Sequence, residues 1–184
     1  GPAKSATAII MNSPLKNGKA ARLADLDIGG NIEVDLDVNS GLFPGGPREV
    51  LGQARFAGNR VDAPKQKITL DDVTGIISFT RGDWYGEGLT AMFAGAPVGL
   101  VFNGGLDDPN YDSEFRMTGV STAGELRDHL KRYAPPVYRW LENHQSLDVF
   151  SGELPWKAVL TIPAPQSDGD PLPRKLLLES SLRG

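Results

Sequence analysis

Residues 68–103 read ITLDDVTGIISFTRGDWYGEGLTAMFAGAPVGLVFN, and this stretch decides the fold. Ile68 and Leu70 alternate with polar residues, as do Ile77 and Phe79. Leu89, Ala91 and Phe93 share one face of a following strand, and Val98, Leu100 and Phe102 share one face of the last. Side chains on a β-strand point alternately to opposite faces, so the pattern predicts strands with one buried face. The order reads as strand, turn, strand, then a hairpin turning at Ala94-Gly95. Pro97 just after that turn suits a strand start or an edge, because proline has no amide hydrogen to give a ladder. No nucleophile, base and orienting group come together in the stretch. The question it raises is what an apolar sheet face is for.

Working outward, similar turn signals recur. Gly29-Gly30 lies between the alternating runs Leu23–Ile28 and Ile32–Val38, and Gly58-Asn59 lies between Val50–Phe56 and Arg60–Ala63. Gly152-Glu153 lies between Leu147–Phe150 and Trp156–Ile162. Each is read as a two-residue hairpin turn, which predicts a meander of antiparallel strands. Ala6–Met11 adds a first strand, Phe115–Met117 a further one and Lys175–Leu182 a last. Glu33, Asp35 and Asp37 form an acidic row opposite Ile32, Val34, Leu36 and Val38, read as a solvated face. Residues 39–47 form a Gly- and Pro-rich loop carrying Leu42 and Phe43, and residues 163–173 form a loop or linker.

One helix stands out, from about Thr122 to Asn143. Thr122 and Glu125 have the spacing of a capping box, in which each side chain satisfies an orphan amide of the first turn. Leu126, Leu130, Tyr133, Val137, Trp140 and Leu141 recur near helical spacing. Pro135-Pro136 breaks the run near Tyr133, and Pro136 helps start a second short helix.

Composition narrows the function. The chain has 184 residues, 22 Gly, 14 Pro, no Cys and a net charge of -4. Turn formers in that number suit many short strands. The acidic balance argues against nucleic acid, whose binders carry a basic face. Without cysteine there is no disulfide framework and no thiolate chemistry. No apolar run approaches the ~18 residues of a membrane-spanning helix. Gly1-Pro2 resembles the scar of a tag-removing protease, so residues 3–184 are expected to be one segment of a longer protein.

Candidate sites thin out quickly. His129 and His144 have no ligand partners at metal spacing, and His129 reads as a boundary residue of the helix. Asp107, Asp108 and Asp112 lack the ordered spacing of a calcium loop. Gly82, Gly86 and Gly88 do not precede a helix, as a phosphate-cradling loop must. No serine sits in a nucleophile elbow. No catalytic residue, cofactor or metal is expected. Trp140 and Trp156 read as core or helix–sheet packing. A curved sheet with an open apolar face and a closed sandwich or barrel both satisfy the alternation, and an exposed apolar face would mark a binding surface.

The same stretch resembles a block of the YhdP-family proteins, which are AsmA-like and of the AsmA and TamB kind. Asp72, Val73, Gly75, Ile77 and Phe79 carry one phrase of that block, and Gly88, Leu89, Ala91, Gly95, Pro97, Val98 and Leu100 carry the next. Ser151 to Trp156 and Leu172-Pro173 with Lys175–Gly184 resemble two later phrases, so the likeness covers most of residues 49–184. The resemblance implies a periplasmic segment of a long envelope protein anchored in the inner membrane of a diderm bacterium. It implies a mainly β fold, a strongly twisted and curved open antiparallel sheet forming a β-groove with one broken helix. It also implies a bridge that carries phospholipid towards the outer membrane, with acyl chains lying along the apolar lining. Expected partners are phospholipid acyl chains and neighbouring segments of the same chain, with membranes met only through parts outside residues 1–184. The expected lining is one face of each strand: Ile77, Phe79, Leu89, Ala91, Phe93, Val98, Leu100, Phe102, Phe115 and Met117. Which strand parity faces the groove and which the helix is left open. The alternatives are a structural or protein-interaction β module without lipid binding and, more distantly, a glycan-processing enzyme.

Overall fold

The structure, a computed structural model, describes residues 1–3, 8, 26–40, 48–64, 67–80, 83–106, 110–133, 135–143, 152–164 and 172–180. The described strands are β1 (Asp27–Ile28), β2 (Glu33–Ser40), β3 (Arg48–Ala63), β4 (Ile68–Thr80), β5 (Trp84–Phe93), β6 (Ala96–Gly104), β7 (Tyr111–Thr122), β8 (Glu153–Pro163) and β9 (Lys175–Ser180). Two helices, α1 (Ala123–Tyr133) and α2 (Pro135–Asn143), lie between β7 and β8. All strands join one antiparallel sheet in sequence order, with β1 and β2 sharing the edge beside β3 and β9 forming the other edge. Among the described residues the two edges do not pair with each other, so the sheet is open rather than closed.

The register places apolar residues in rows across the strands. Val34, Ala54, Ile77, Gly86, Phe102, Phe115, Leu160 and Leu176 are successive partners from β2 to β9. Leu89, Leu100, Met117, Ala158 and Leu178 make the next row, and Ala91, Val98, Gly119, Trp156 and Ser180 the one after. Paired residues of an antiparallel ladder share a face, so these rows form one continuous inner face. It contains most of the buried hydrophobic residues of the main core.

The Ala94-Gly95 turn is as read: both residues have positive φ, the conformation that a tight hairpin matched to strand twist requires. Other Gly signals are not turns. Gly29-Gly30 does not reverse the chain, because β1 and β2 both run antiparallel to β3 in nearly continuous register. Gly58-Asn59 lies inside the 16-residue β3, and the expected turn between Leu70 and Ile77 lies inside the 13-residue β4. Gly29-Gly30 is a break between two strands on the same edge, and the other two are bulges. Gly58 and Asp72 take positive φ, and the ladders shift register beside them. A further shift falls between Gly86 and Leu89 of β5, where Gly88 has positive φ. The irregularities therefore line up across the sheet, bending neighbouring strands at one level. Asn59 staples this seam. Its Nδ2 donates to the carbonyls of Gly29 (2.8 Å) and Asn31 (2.9 Å), and its Oδ1 accepts from the Ala57 amide at 2.9 Å.

Gly1-Pro2 is part of this edge rather than loose: Ala3 is buried and its amide donates to the Gly30 carbonyl at 3.0 Å. Within the expected first strand, Ala8 is helical and exposed, and the other residues of Ala6–Met11 lie outside the described residues. The hairpin strand expected at Leu147–Phe150, the Leu42–Phe43 loop, Asp107, Asp108 and His144 also lie outside them.

The helical segment matches its sequence reading. The Thr122 amide donates to Glu125 at 2.8 Å and the Glu125 amide donates to the Thr122 hydroxyl at 3.3 Å, completing the capping box. The helix stops at Tyr133 and restarts at Pro135. Leu126 and Leu130 pack with Ala123 and Leu154, and Tyr138 of α2 packs on the same cluster. Trp140 corrects the reading: it is 58% exposed. Two residues after the inward-facing Tyr138, it points about 200° around the helix.

Candidate functional site

The inner face is the candidate site. Ile77, Phe79, Leu89, Ala91, Phe93, Val98, Leu100, Phe102, Phe115 and Met117 all fall on it, brought together by the ladders from β4 to β7. α1 answers the parity question by lying against this same face. The Tyr133 ring is 4.9 Å from that of Phe93 and the His129 ring 5.4 Å from it, so α1 covers the end of the face where β5 turns into β6. His129 is a half-buried packing residue there. Among the described residues no group of His, Asp or Glu could hold a metal ion.

Burial grades across the face. Phe79, Leu89, Ala91, Val98, Leu100, Phe102 and Met117 are almost fully enclosed. Ile77, Phe115, Ala158, Leu160 and Ile162 are partly exposed. At the β9 edge Leu176 is 56% and Leu178 37% exposed. The face is thus packed shut near β5 and β6 and opens towards β9.

Large rings on this face lie opposite glycine. Phe56 pairs with Gly75, Phe79 with Gly52, Trp84 with Gly104, Phe102 with Gly86, and Trp156 with Gly119. The rings of Phe79, Trp84 and Trp156 occupy the space that a Cβ on the facing glycine would need. Each ring therefore lies flat on its neighbour's backbone instead of standing up into the groove. Three of these glycines, Gly52, Gly104 and Gly119, have no positive φ, so close approach rather than backbone conformation demands them.

Two rings carry a polar edge. Trp156 Nε1 donates to the Ser121 hydroxyl at 2.9 Å, both groups being buried. Among the described residues, Trp84 Nε1 has no hydrogen-bond partner, and neither has the hydroxyl of Ser113, which pairs with Gly104 on the far side. Trp84, Ser113, Leu176 and Leu178 belong to the inner face but are absent from the lining expected from sequence.

A family model described as YhdP protein matches residues 1–184, the whole chain. The chain belongs to the YhdP family. YhdP-family members are bacterial envelope proteins. No match is found among curated proteins or among solved structures. No helix among the described residues is long and apolar enough to cross a membrane.

Proposed function

We propose that this chain is a periplasmic segment of an inner-membrane-anchored envelope bridge that carries phospholipid along its inner sheet face towards the outer membrane, without catalysing a reaction. The observation that carries the reading is the continuous apolar face of an unclosed sheet, which emerges at the surface along Phe115, Leu160, Leu176 and Leu178. Acyl chains need such a surface, gaining about 0.8 kcal/mol per buried CH2. Headgroups stay in water at an open edge. Membership of the YhdP family, made of envelope proteins, supports the setting.

β9 offers a matched test. Leu176 and Leu178 face inward and Leu177 faces outward, yet all three are exposed, so substitution of any of them leaves the packed centre intact. Native mass spectrometry of the purified chain should find co-purifying phospholipid that is lost in Leu178→Asp and kept in Leu177→Asp. Protein free of lipid even after incubation with dispersed phospholipid would overturn the reading. One observation favours a second reading, an interaction or structural module of the same envelope protein: the inner face around Leu89, Val98 and Leu100 is filled by its own side chains. The lipid-free outcome is the one that module predicts.

A further inference from the structure

Trp84 and Ser113 sit in an unusual position for polar groups. Trp84 is 7% exposed and Ser113 0%, in a row that otherwise contains Leu36, Gly52, Phe79, Gly104 and Ile162. Gly104 lies between them, paired with Trp84 on one side and Ser113 on the other. The Cδ1–Nε1 edge of the indole lies over Gly104, which places its N–H above the strand next to Ser113. Among the described residues, neither Nε1 nor Oγ has a hydrogen-bond partner. Buried polar groups are nearly always satisfied, and exceptions point to a missing ligand, ion or water.

The other buried tryptophan supplies an internal control. Trp156 also lies over a glycine, Gly119, and has a serine within reach, and there the pair bonds to itself. The chain can therefore close such a pair, and at Trp84 it does not.

We propose that Trp84 and Ser113 form a donor pair that holds an acceptor oxygen of a phospholipid, either an ester carbonyl or a phosphodiester oxygen. The proposal rests on the lipid-carrying reading and adds a polar anchor to it. An indole N–H only donates and a hydroxyl can donate, so the pair suits an acceptor and not an ammonium group. One row away begins the strip Phe115, Leu160 and Leu176 that leads to the exposed edge. An oxygen held at Ser113 thus has apolar surface beside it for the attached chains. In this structure Trp84 covers the site. It sits in the buried core beside the ring of Phe102, with no side chain on Gly104. The indole moves off Gly104 as the ligand enters.

The test follows the indole N–H resonances of the full 184-residue chain by two-dimensional NMR, with Trp84 assigned from Trp84→Phe. A monomeric short-chain diacyl phosphatidylcholine is titrated in, then its dialkyl ether counterpart. The Trp84 resonance should move downfield while Trp156 stays. Movement with the diester alone identifies the carbonyl, and movement with both identifies the phosphate. Leu176 and Leu178 methyl shifts without any change at Trp84 would overturn the donor pair and leave the carrying function standing. No shift anywhere would overturn both. Ser113→Ala, which orphans no partner, should weaken diester binding about ten-fold, one hydrogen bond's worth, and Ser113→Thr should restore it. Undiminished binding by Ser113→Ala would mean that a resident water uses the site, and would also overturn the proposal.

Discussion

Trp156 and Trp84 are the same device at opposite ends of one groove, and they differ in a single bond. Each ring lies on a facing glycine. At the helix end, the Trp156 N–H is taken up by Ser121. At the other end, Trp84 and Ser113 are left without partners. A net hydrogen bond contributes about 1 kcal/mol, and a buried orphan costs about 1–3 kcal/mol. The helix end is thus finished as a core, whereas the far end gives up stability to keep donors available.

The sharpest way to probe the comparison begins where the two ends should agree. Gly104→Val and Gly119→Val each push a ring off its backbone seat, and both should cost about 3 kcal/mol in urea unfolding. A much smaller loss at Gly104 would show that Trp84 has somewhere else to go. The tryptophans themselves should then separate. Trp156→Phe strands the Ser121 hydroxyl, whereas Trp84→Phe strands nothing new, so the first should be worse by about 2 kcal/mol. Equal losses would refute the contrast. Among the serines, Ser121→Ala should destabilise by about 1.5 kcal/mol, and Ser113→Ala should leave the melting temperature unchanged or raise it. A destabilised Ser113→Ala protein would mean that its hydroxyl has a native partner.

The smallest effect concerns the cover that only one end possesses. Thr122→Ala removes the N-cap of α1 and should cost about 1 kcal/mol. Hydrogen exchange should quicken around Phe93 and not around Trp84. Acid should loosen the same helix. The Thr122 amide, and secondarily its hydroxyl, hold the Glu125 carboxyl below its ordinary range. A carboxyl lowered by folding adds stability above its ordinary value of ~4 and loses it as pH falls through the lowered one. Exchange in the first turn that is unchanged between pH 7 and about pH 3 would rule that contribution out.

Much of this arrangement was legible from residues alone. Alternation put every expected lining residue on one face because each short run keeps its own phase. The capping box and the proline break set the helix ends because both are local chemistry. What alternation cannot cross is a bulge. The inner residues of β5 run Trp84, Gly86, then Leu89, Ala91, Phe93, and the step from 86 to 89 changes parity. Counting back from Leu89 therefore misses Trp84. The same phase change falls at Gly58 in β3 and Asp72 in β4. A glycine with positive φ serves a turn or a bulge equally well, and only the partner strand's register tells them apart. Ser113 was hidden differently: its meaning depends on Gly104 and Trp84, which long-range pairing alone brings beside it. Trp140 was misplaced because the helix that starts at Pro135 does not keep the phase of the one that ends at Tyr133.

The sheet's two edges differ in how they treat a second copy of this chain. Along β2, Glu33 is paired with Arg55 at 3.4 Å, but Asp35 and Asp37 share its face, so two such edges meeting in solution repel through the aspartates. Along β9 the charges are already engaged, Lys175 over the Tyr111 ring at 4.0 Å and Glu179 with Lys157 at 2.7 Å, and the leucines are exposed. Self-association is therefore expected through one side only. Because β9 meeting β9 is a two-fold contact that uses up both edges, growth stops at a dimer instead of running on into a fibre.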